Sequence, residues 1–168
     1  MGKWILGYLP KKPTKILDVG CGTGIHTKWF NDQGIECYGI TINKEEIEKK
    51  KHENVIYGDM CNIPFKNETF DLVFALGSVE HTFAPFIAMC EFNRVLKNDG
   101  YFFMDMPNIY NMEILDPQYW YHKMVLFPIQ VRDLMIKSRF ELIKWNSDRE
   151  AIGEEHPKCK ATGNIHNG

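Results

Sequence analysis

The stretch that decides the fold is Ile16-Leu17-Asp18-Val19-Gly20-Cys21-Gly22-Thr23-Gly24. It places three glycines at alternate positions directly after a short apolar run, and Ile25, Trp29 and Phe30 follow at helical spacing before Gly34. This pattern predicts a strand, a tight turn and a helix. Because glycine has no Cβ, the turn lets a bulky ligand pass close to the backbone, and the helix presents its N-terminal amides to a carboxylate on that ligand.

Two other interpretations of this turn are weaker. A dinucleotide-binding fingerprint would need glycines at positions 20, 22 and 25, and position 25 is isoleucine. A turn that binds nothing would not need three alternating glycines, because each of them costs backbone entropy on folding. The turn therefore favours a bound ligand other than NAD.

Further apolar runs predict strands and helices in alternation along the chain. Later strands are expected at 37–41, 54–57, 70–75, 101–104 and 142–145, with a turn at 98–100. Later helices are expected after Asn43 and over 86–96 and 129–137. With right-handed crossovers this order gives an α/β, doubly wound, Rossmann-like fold, in which a mostly parallel sheet is flanked by helices and the ligand crevice lies at the carboxyl ends of the central strands.

The helix after Asn43 carries an N-terminal signature. Asn43 is a suitable N-cap residue, and Glu46 stands three residues later, as in a capping box. Ile42 and Ile47 flank the pair as a hydrophobic staple. A capping box would join the Glu46 side chain to the backbone N–H of Asn43.

Charge and composition disfavour several classes of protein. The 168 residues carry a net charge of −2, so no positive field concentrates nucleic acid at the surface. The five cysteines are odd in number and never spaced as Cys-x-x-Cys, which predicts reduced thiols in a cytoplasmic protein. We expect no membrane span and no signal peptide, because no apolar run has the required length.

The pattern Asp18-x-Gly20-x-Gly22-x-Gly24 resembles motif I of the class I S-adenosylmethionine (SAM)-dependent methyltransferases, and the order of later elements is similar to their type 11-like, small-molecule branch. The resemblance covers roughly residues 15–145 and implies SAM as cofactor and S-adenosylhomocysteine (SAH) as product. It implies that the acidic residue orients the amino-acid end of SAM and that the turn runs beneath the methionyl and ribose portions. The cofactor-binding residues implied in this turn are Asp18, Gly20, Cys21, Gly22 and Gly24.

The resemblance also implies cofactor contacts at the ends of the next three strands. The family usually ends its second strand with an acidic residue that binds the ribose, whereas this chain has Thr41, so Thr41 and Ile42 are expected at the ribose and adenine with weakened binding. Asp59 would accept from the exocyclic amine of adenine while Met60 packs on the ring. The backbone of Leu76 and Gly77 would border the methionyl group.

The same resemblance suggests where the acceptor binds. His81 belongs to a Glu-His segment after the fourth strand and is the candidate catalytic residue, either orienting or deprotonating an acceptor hydroxyl; the alternative is a purely structural histidine. Related segments with one more acidic residue hold Mg²⁺, but that position here is Gly77, so we expect no metal site. Aromatic and histidine side chains in the stretch where the family inserts its acceptor lid are the candidate substrate residues: Tyr110, Tyr119, Trp120 and His122.

Residues 147–168 are polar and lack an apolar run, whereas the family normally adds a seventh strand after the sixth. We therefore expect a methyltransferase domain over 1–146, a polar tail over 147–168 and no seventh strand. The exposed edge of such a sheet would be covered by the tail or by a second copy of the chain, as in a homo-oligomer.

The function implied is transfer of a methyl group from SAM to an oxygen or nitrogen of a small molecule by direct in-line displacement. This reaction mainly requires that donor and acceptor be aligned and water excluded. Two alternatives stay open on the sequence: a SAM-binding regulator or subunit without catalysis, and an enzyme that transfers an aminopropyl or related group from the same pocket.

Overall fold

The computed structural model describes residues 3–106, 123, 124, 126–144 and 159–163. The described strands are β1 (Lys15–Val19), β2 (Glu36–Thr41), β3 (Val55–Tyr57), β4 (Phe70–Leu76), β5 (Leu96–Asp105), β6 (Phe140–Lys144) and β7 (Cys159–Gly163). The described helices are α1 (Lys3–Leu6), α2 (Ile25–Asp32), α3 (Lys44–Glu48), α4 (Pro85–Val95) and α5 (Pro128–Lys137), with one 3₁₀ turn at Val79–His81. No helix in these ranges is long and apolar enough to cross a membrane.

The strands form one sheet in the order β3-β2-β1-β4-β5-β7-β6. The first five are mutually parallel, and β7 is antiparallel to both of its neighbours. Strand order runs outward in both directions from β1, so the chain reverses direction across the sheet between β1 and β4. Ligands of doubly wound sheets bind at such a switch point. The predicted fold class is confirmed.

Apolar side chains cover both faces of the sheet, as expected for central parallel strands. Alternate residues of β1 point to opposite sides: Leu17 belongs to the hydrophobic cluster that includes α4 and α5, whereas Ile16 belongs to the cluster that includes α1 and α2. Neighbouring β4 repeats the alternation, with Val73 in the first cluster and Phe74 in the second. This two-sided burial fixes the register of the central strands and holds their carboxyl ends at one edge.

The prediction that the seventh strand is missing is wrong. Strand β7 lies between β5 and β6, with Tyr101 opposite Thr162 and Phe140 opposite Gly163. The prediction required an apolar run, but an antiparallel strand flanked on both sides satisfies its backbone N–H and C=O groups through its neighbours, whatever its side chains. The other residues of the predicted tail, 147–158 and 164–168, lie outside the described residues, so the domain boundary after residue 146 stays a prediction.

The start of α3 confirms the predicted N-cap and corrects the capping box. The Asn43 side chain accepts from Glu45 N at 3.0 Å. The Glu46 carboxylate, however, accepts from the Thr41 hydroxyl at 2.6 Å, and Thr41 Oγ1 in turn accepts from Asn43 N at 3.1 Å. The hydroxyl of Thr41 therefore takes the place that the capping box gives to Glu46, which leaves the carboxylate nearer to the end of β2.

The predicted turn at 98–100 lies within the span of β5, at an irregularity of its pairing with β4. Phe70 is opposite Leu96 and Leu72 is opposite Tyr101, so β5 advances five residues while β4 advances two. The extra residues of β5 have no partner in β4 at this point, as in an enlarged β-bulge. The apolar segment that follows returns to regular parallel pairing and ends at Asp105.

Candidate active site

A cavity of about 600 Å³ opens at the carboxyl ends of β1, β2 and β4. Its volume lies within the range of about 300–1,000 Å³ that is typical of small-molecule sites. The structure brings together here seven of the residues predicted for the site: Gly20, Thr41, Ile42, Asp59, Met60, Gly77 and His81. These residues come from four separate segments that only the parallel sheet brings to one edge.

Five predicted cofactor residues are not among the described residues that line this cavity. Asp18 is only 2% exposed and accepts from the Thr27 hydroxyl at 3.1 Å, so its carboxylate lies between the turn and α2. Cys21 and Gly24 take part in the turn beneath the cavity, with Gly24 N donating to Cys21 O. A Cβ built on Gly22 would make an ordinary contact with Glu46 Oε1, at 3.9 Å, so this glycine lies near the carboxylate that lines the cavity. Leu76 ends β4 and is partly buried against the α1–α2 side.

Gly20 is required by packing within the protein. A Cβ on Gly20 would collide with the Cβ of Ser78, whose hydroxyl donates to Val19 O at 3.0 Å. This contact binds the segment after β4 to the end of β1 and closes the floor of the cavity. The first glycine of the motif therefore lets two loops of the site meet, a role in addition to the ligand approach predicted from the sequence.

Glu46 is a site residue that the sequence pattern did not predict. Glu46 lines the cavity beside Thr41, and the 2.6 Å hydrogen bond between them fixes its carboxylate at the end of β2. The chain thus places an acidic group beside the position where the family has one, but supplies it from α3 instead of β2. The capping signature pointed to the right residue, but it suggested a purely structural role.

The segment after β3 forms the opposite wall. Asp59 Oδ1 accepts from Cys61 N at 2.8 Å, which tightens the turn that carries Met60. Farther along, the paired side chains of Glu91 and Arg94 on α4 hold the same segment: Glu91 accepts from Ile63 N at 2.8 Å and Arg94 donates to Ile63 O at 2.9 Å. The Arg94 guanidinium lowers the pKa of the Glu91 carboxyl, and the pair therefore stays ionised near neutrality.

The 3₁₀ turn after β4 carries two residues of different environments. His81 is exposed and lines the cavity. Its neighbour Glu80 is 2% exposed, and burial raises the pKa of the Glu80 carboxyl, with nearby Asp105 acting in the same direction and His81 opposing it. The Glu80 carbonyl accepts from Lys123 N at 2.7 Å and from Met124 N at 2.9 Å. The chain therefore returns to this turn at Lys123, after the insert between Met106 and Lys123.

The four predicted substrate residues, Tyr110, Tyr119, Trp120 and His122, lie outside the described residues. The described chain leaves β5 at Asp105 and Met106 and comes back at Lys123, so the insert that contains them starts and ends beside the cavity. Their role in binding an acceptor stays a prediction. The same holds for the prediction that no metal binds.

Comparison with known proteins places the chain in a family. A family model described as a methyltransferase domain matches residues 17–104, just over half of the chain. Norajmaline N-methyltransferase of Rauvolfia serpentina is 38% identical over an alignment of 84 positions that covers 42% of this chain and 28% of the relative. The 18S rRNA (guanine-N(7))-methyltransferase of Bos taurus is 38% identical over an alignment of 74 positions that covers 41% of this chain and 26% of the relative. The chain thus spans less than a third of either relative.

The fold has solved counterparts as well. A chain from the complex of the Haloferax volcanii Trm112 methyltransferase activator with a methyltransferase superposes with a TM-score of 0.78 at 15% identity, over 99% of this chain and 90% of that one. At this identity the likeness concerns the fold alone. Together with the match of the family model, it shows that this chain belongs to the class I SAM-dependent methyltransferases, as a member of the methyltransferase domain family.

Proposed function

We propose that this chain transfers a methyl group from SAM to an oxygen or nitrogen of a small-molecule acceptor. The observation that carries the proposal is the cavity at the switch point of the sheet, lined by seven residues that the family pattern assigns to cofactor and catalysis. SAM, when bound, supplies an electrophilic methyl group on its sulfonium. The protein contributes alignment of the two reactants and exclusion of water.

The lining supports one orientation of the cofactor. Ile42 and Met60 offer apolar surfaces on two sides of the cavity for the adenine, and Asp59 lies beside Met60 to accept from its exocyclic amine. The carboxylate of Glu46 is placed to accept from the ribose hydroxyls, because Thr41 holds it by a hydrogen bond. The methionyl end then lies over the glycine turn and points toward Gly77.

The fit of SAM rests on the chemistry of this donor set. A carboxylate that receives one hydroxyl from Thr41 still has lone pairs for a ribose hydroxyl. A Cβ built on Gly22 would lie 3.9 Å from Glu46 Oε1, so the glycine turn approaches this carboxylate without crowding it. At the far end, His81 is placed to orient an acceptor hydroxyl or to take its proton.

A small molecule is favoured over nucleic acid as the acceptor. The net charge of −2 provides no electrostatic attraction to phosphates, which supplies most of the nonspecific affinity of nucleic-acid-binding proteins. The substrate residues of the insert, a cytoplasmic location and a homo-oligomer remain part of the proposal. The free thiols of Cys21, Cys37, Cys61 and Cys90 agree with a reducing compartment.

Calorimetric titration with SAH tests the cofactor site. Wild-type protein should bind SAH and should not bind NAD⁺. Glu46→Gln should weaken SAH binding by about tenfold to a hundredfold, because a hydrogen bond to a charged group contributes about 1.5–3 kcal/mol. The matched control is Glu45→Gln on the same helix, whose carboxylate is exposed and outside the cavity lining, and it should bind SAH as wild type does. Absence of SAH binding by wild type would refute the proposal.

Incubation with methyl-labelled SAM and fractionated small-molecule pools separates the remaining alternatives. Label that moves to an acceptor demonstrates methyl transfer. A protein that binds SAH but transfers no label to any fraction, including RNA, would be a SAM-binding subunit. Mass spectrometry of the modified acceptor identifies the group gained, and an aminopropyl group in place of a methyl group would establish the other enzyme class.

A further inference from the structure

Glu80 is a buried carboxylic acid that takes no part in the proposed cofactor site. It is 2% exposed, and its Oε2 has no hydrogen-bond partner among the described residues. Burying an ionised carboxylate without a partner is strongly unfavourable. The backbone N–H of Glu80 lies near its own carboxyl group, but Oε2 is left without a donor among the described residues, and a donor on a bound ligand would satisfy it.

The carboxyl group lies beside the cavity wall. A Cβ built on Gly77 would lie 3.7 Å from Glu80 Oε1, and apart from the chain neighbours of Gly77 no other described atom lies within 4 Å of that point. Gly77 lines the cavity, as do Ser78 and His81 on either side of the turn. The Glu80 carboxyl group therefore lies directly behind the part of the cavity wall formed by Gly77, where no side chain separates the two.

The charges around Glu80 favour a cation. Asp105, at the carboxyl end of β5, adds negative charge near the Glu80 carboxyl, whereas the backbone N–H of Glu80 and the imidazole of His81 act in the opposite direction. The insert that follows β5 returns to the same place, where Lys123 and Met124 donate their backbone N–H groups to Glu80 O. Backbone donors thus reach the carbonyl of Glu80, whereas no described donor reaches Oε2.

We propose that Glu80 forms an ammonium subsite at the methyl-transfer end of the cavity, so that the acceptor of this enzyme is an amine. This inference rests on the proposed function, because it requires that the sulfonium end of SAM point toward Gly77. The amine enters as an ammonium ion and pairs with the Glu80 carboxylate through a charge-assisted hydrogen bond.

Glu80 also removes the proton that blocks the reaction. An ammonium nitrogen has no lone pair, so it must first give one proton to the Glu80 carboxylate, which becomes neutral. The free amine nitrogen then forms a bond to the methyl carbon while the S–CH₃ bond breaks and its electron pair stays on sulfur. The products are a methylated ammonium ion and SAH, and Glu80 returns its proton to solvent. The raised pKa of a buried carboxyl suits this exchange.

Sinefungin provides a defined probe for this subsite, because it carries a primary ammonium on carbon where SAM carries its methylated sulfonium. By calorimetry at neutral pH, wild-type protein should bind sinefungin at least about tenfold more tightly than SAH, as expected for a charge-assisted hydrogen bond. In Glu80→Gln this ratio should fall to near one, while SAH affinity changes by less than about threefold. The control Glu45→Gln removes an exposed carboxylate and should keep the wild-type ratio.

A second measurement uses only the wild-type chain, in case Glu80→Gln does not fold. An ammonium near Glu80 favours the ionised carboxyl, so binding of sinefungin at mildly acidic pH should release more protons than binding of SAH. Titrations in two buffers of different ionisation enthalpy measure that difference.

A wild-type ratio near one, an unchanged ratio in Glu80→Gln, or equal proton release for both ligands would overturn the ammonium subsite and leave the proposed function intact. Failure of the wild type to bind either compound would refute the proposed function instead.

Discussion

Asp18 offers the sharpest test of the structure. Its carboxyl group is 2% exposed at the end of β1, and burial raises its pKa from 3.8 to about 7, although hydrogen bonds from Thr27 act in the opposite direction. In the unfolded chain the same carboxyl is exposed and titrates near its ordinary value. The native and unfolded states therefore bind different numbers of protons between about pH 4 and pH 7.

The sign of the effect follows from proton linkage. Within this window the native state holds a proton on Asp18 that the unfolded state has lost, so stability falls as pH rises and levels off above pH 7. For a shift from 3.8 to about 7, the contribution of Asp18 should decrease by about 2.5 kcal/mol between pH 5 and pH 8, at 1.36 kcal/mol for each pKa unit traversed.

The matched variant is Asp18→Asn, which preserves the size of the side chain and an acceptor for Thr27 but cannot ionise. Urea denaturation followed by tryptophan fluorescence should be carried out on both proteins at pH 5, 6, 7 and 8. Other titrating groups contribute equally to both proteins, so the difference between their free energies of unfolding isolates Asp18.

Wild-type protein should lose stability relative to Asp18→Asn as pH rises, with most of the change between pH 5 and pH 7. A difference that is constant within about 0.5 kcal/mol across this range would show that Asp18 does not titrate there. A change of opposite sign would mean that the native state favours the ionised carboxylate, as a cationic partner would cause. Either result would refute the burial argument.

Three further predictions concern stability and turnover. Gly24→Ala should destabilise the protein by roughly 2–5 kcal/mol in urea denaturation, because φ at Gly24 is +82° and a Cβ there would collide with Val55. The control Gly34→Ala should cost only about 1–2 kcal/mol, because φ is +70° but no atom lies within 4 Å of the added Cβ. Equal losses of stability in the two variants would contradict the collision. Arg94→Met should lower the free energy of unfolding by roughly 1–3 kcal/mol in the same assay, because the guanidinium donates hydrogen bonds to the segment after β3. A loss near zero would show that this segment keeps its conformation without Arg94. His81→Ala should leave SAH affinity nearly unchanged but lower turnover of the acceptor by roughly 10²-fold in a labelled-methyl assay, because His81 lines the cavity where the acceptor would be oriented; wild-type turnover would make His81 structural.

The sequence by itself determined the parts of the fold that depend on local periodicity. Apolar runs bounded by glycines and polar turns predicted β1 directly before the glycine turn and β2, β3 and β4 to within one residue at each end, whereas β5 begins five residues earlier than predicted. The glycine motif identified the edge where the cavity lies, because the carboxyl ends of parallel strands must share one edge. Six of the eleven predicted cofactor residues and His81 line that cavity.

Only the tertiary structure decided the remaining features, because each depends on groups far apart in the chain or on hydrogen bonds rather than on apolar pattern. Strand β7 is held by backbone pairing with β5 and β6, which leaves no apolar signal in its sequence. The first glycine of the motif is required by Ser78, 58 positions later in the chain. Glu46 becomes a site residue because the Thr41 hydroxyl displaces it from the capping box, and Glu80 becomes notable only because the fold buries it without a partner for Oε2 among the described residues. A pattern of residue types records which side chains prefer the interior, but the free energy of a buried polar group depends on which partner the folded chain brings to it.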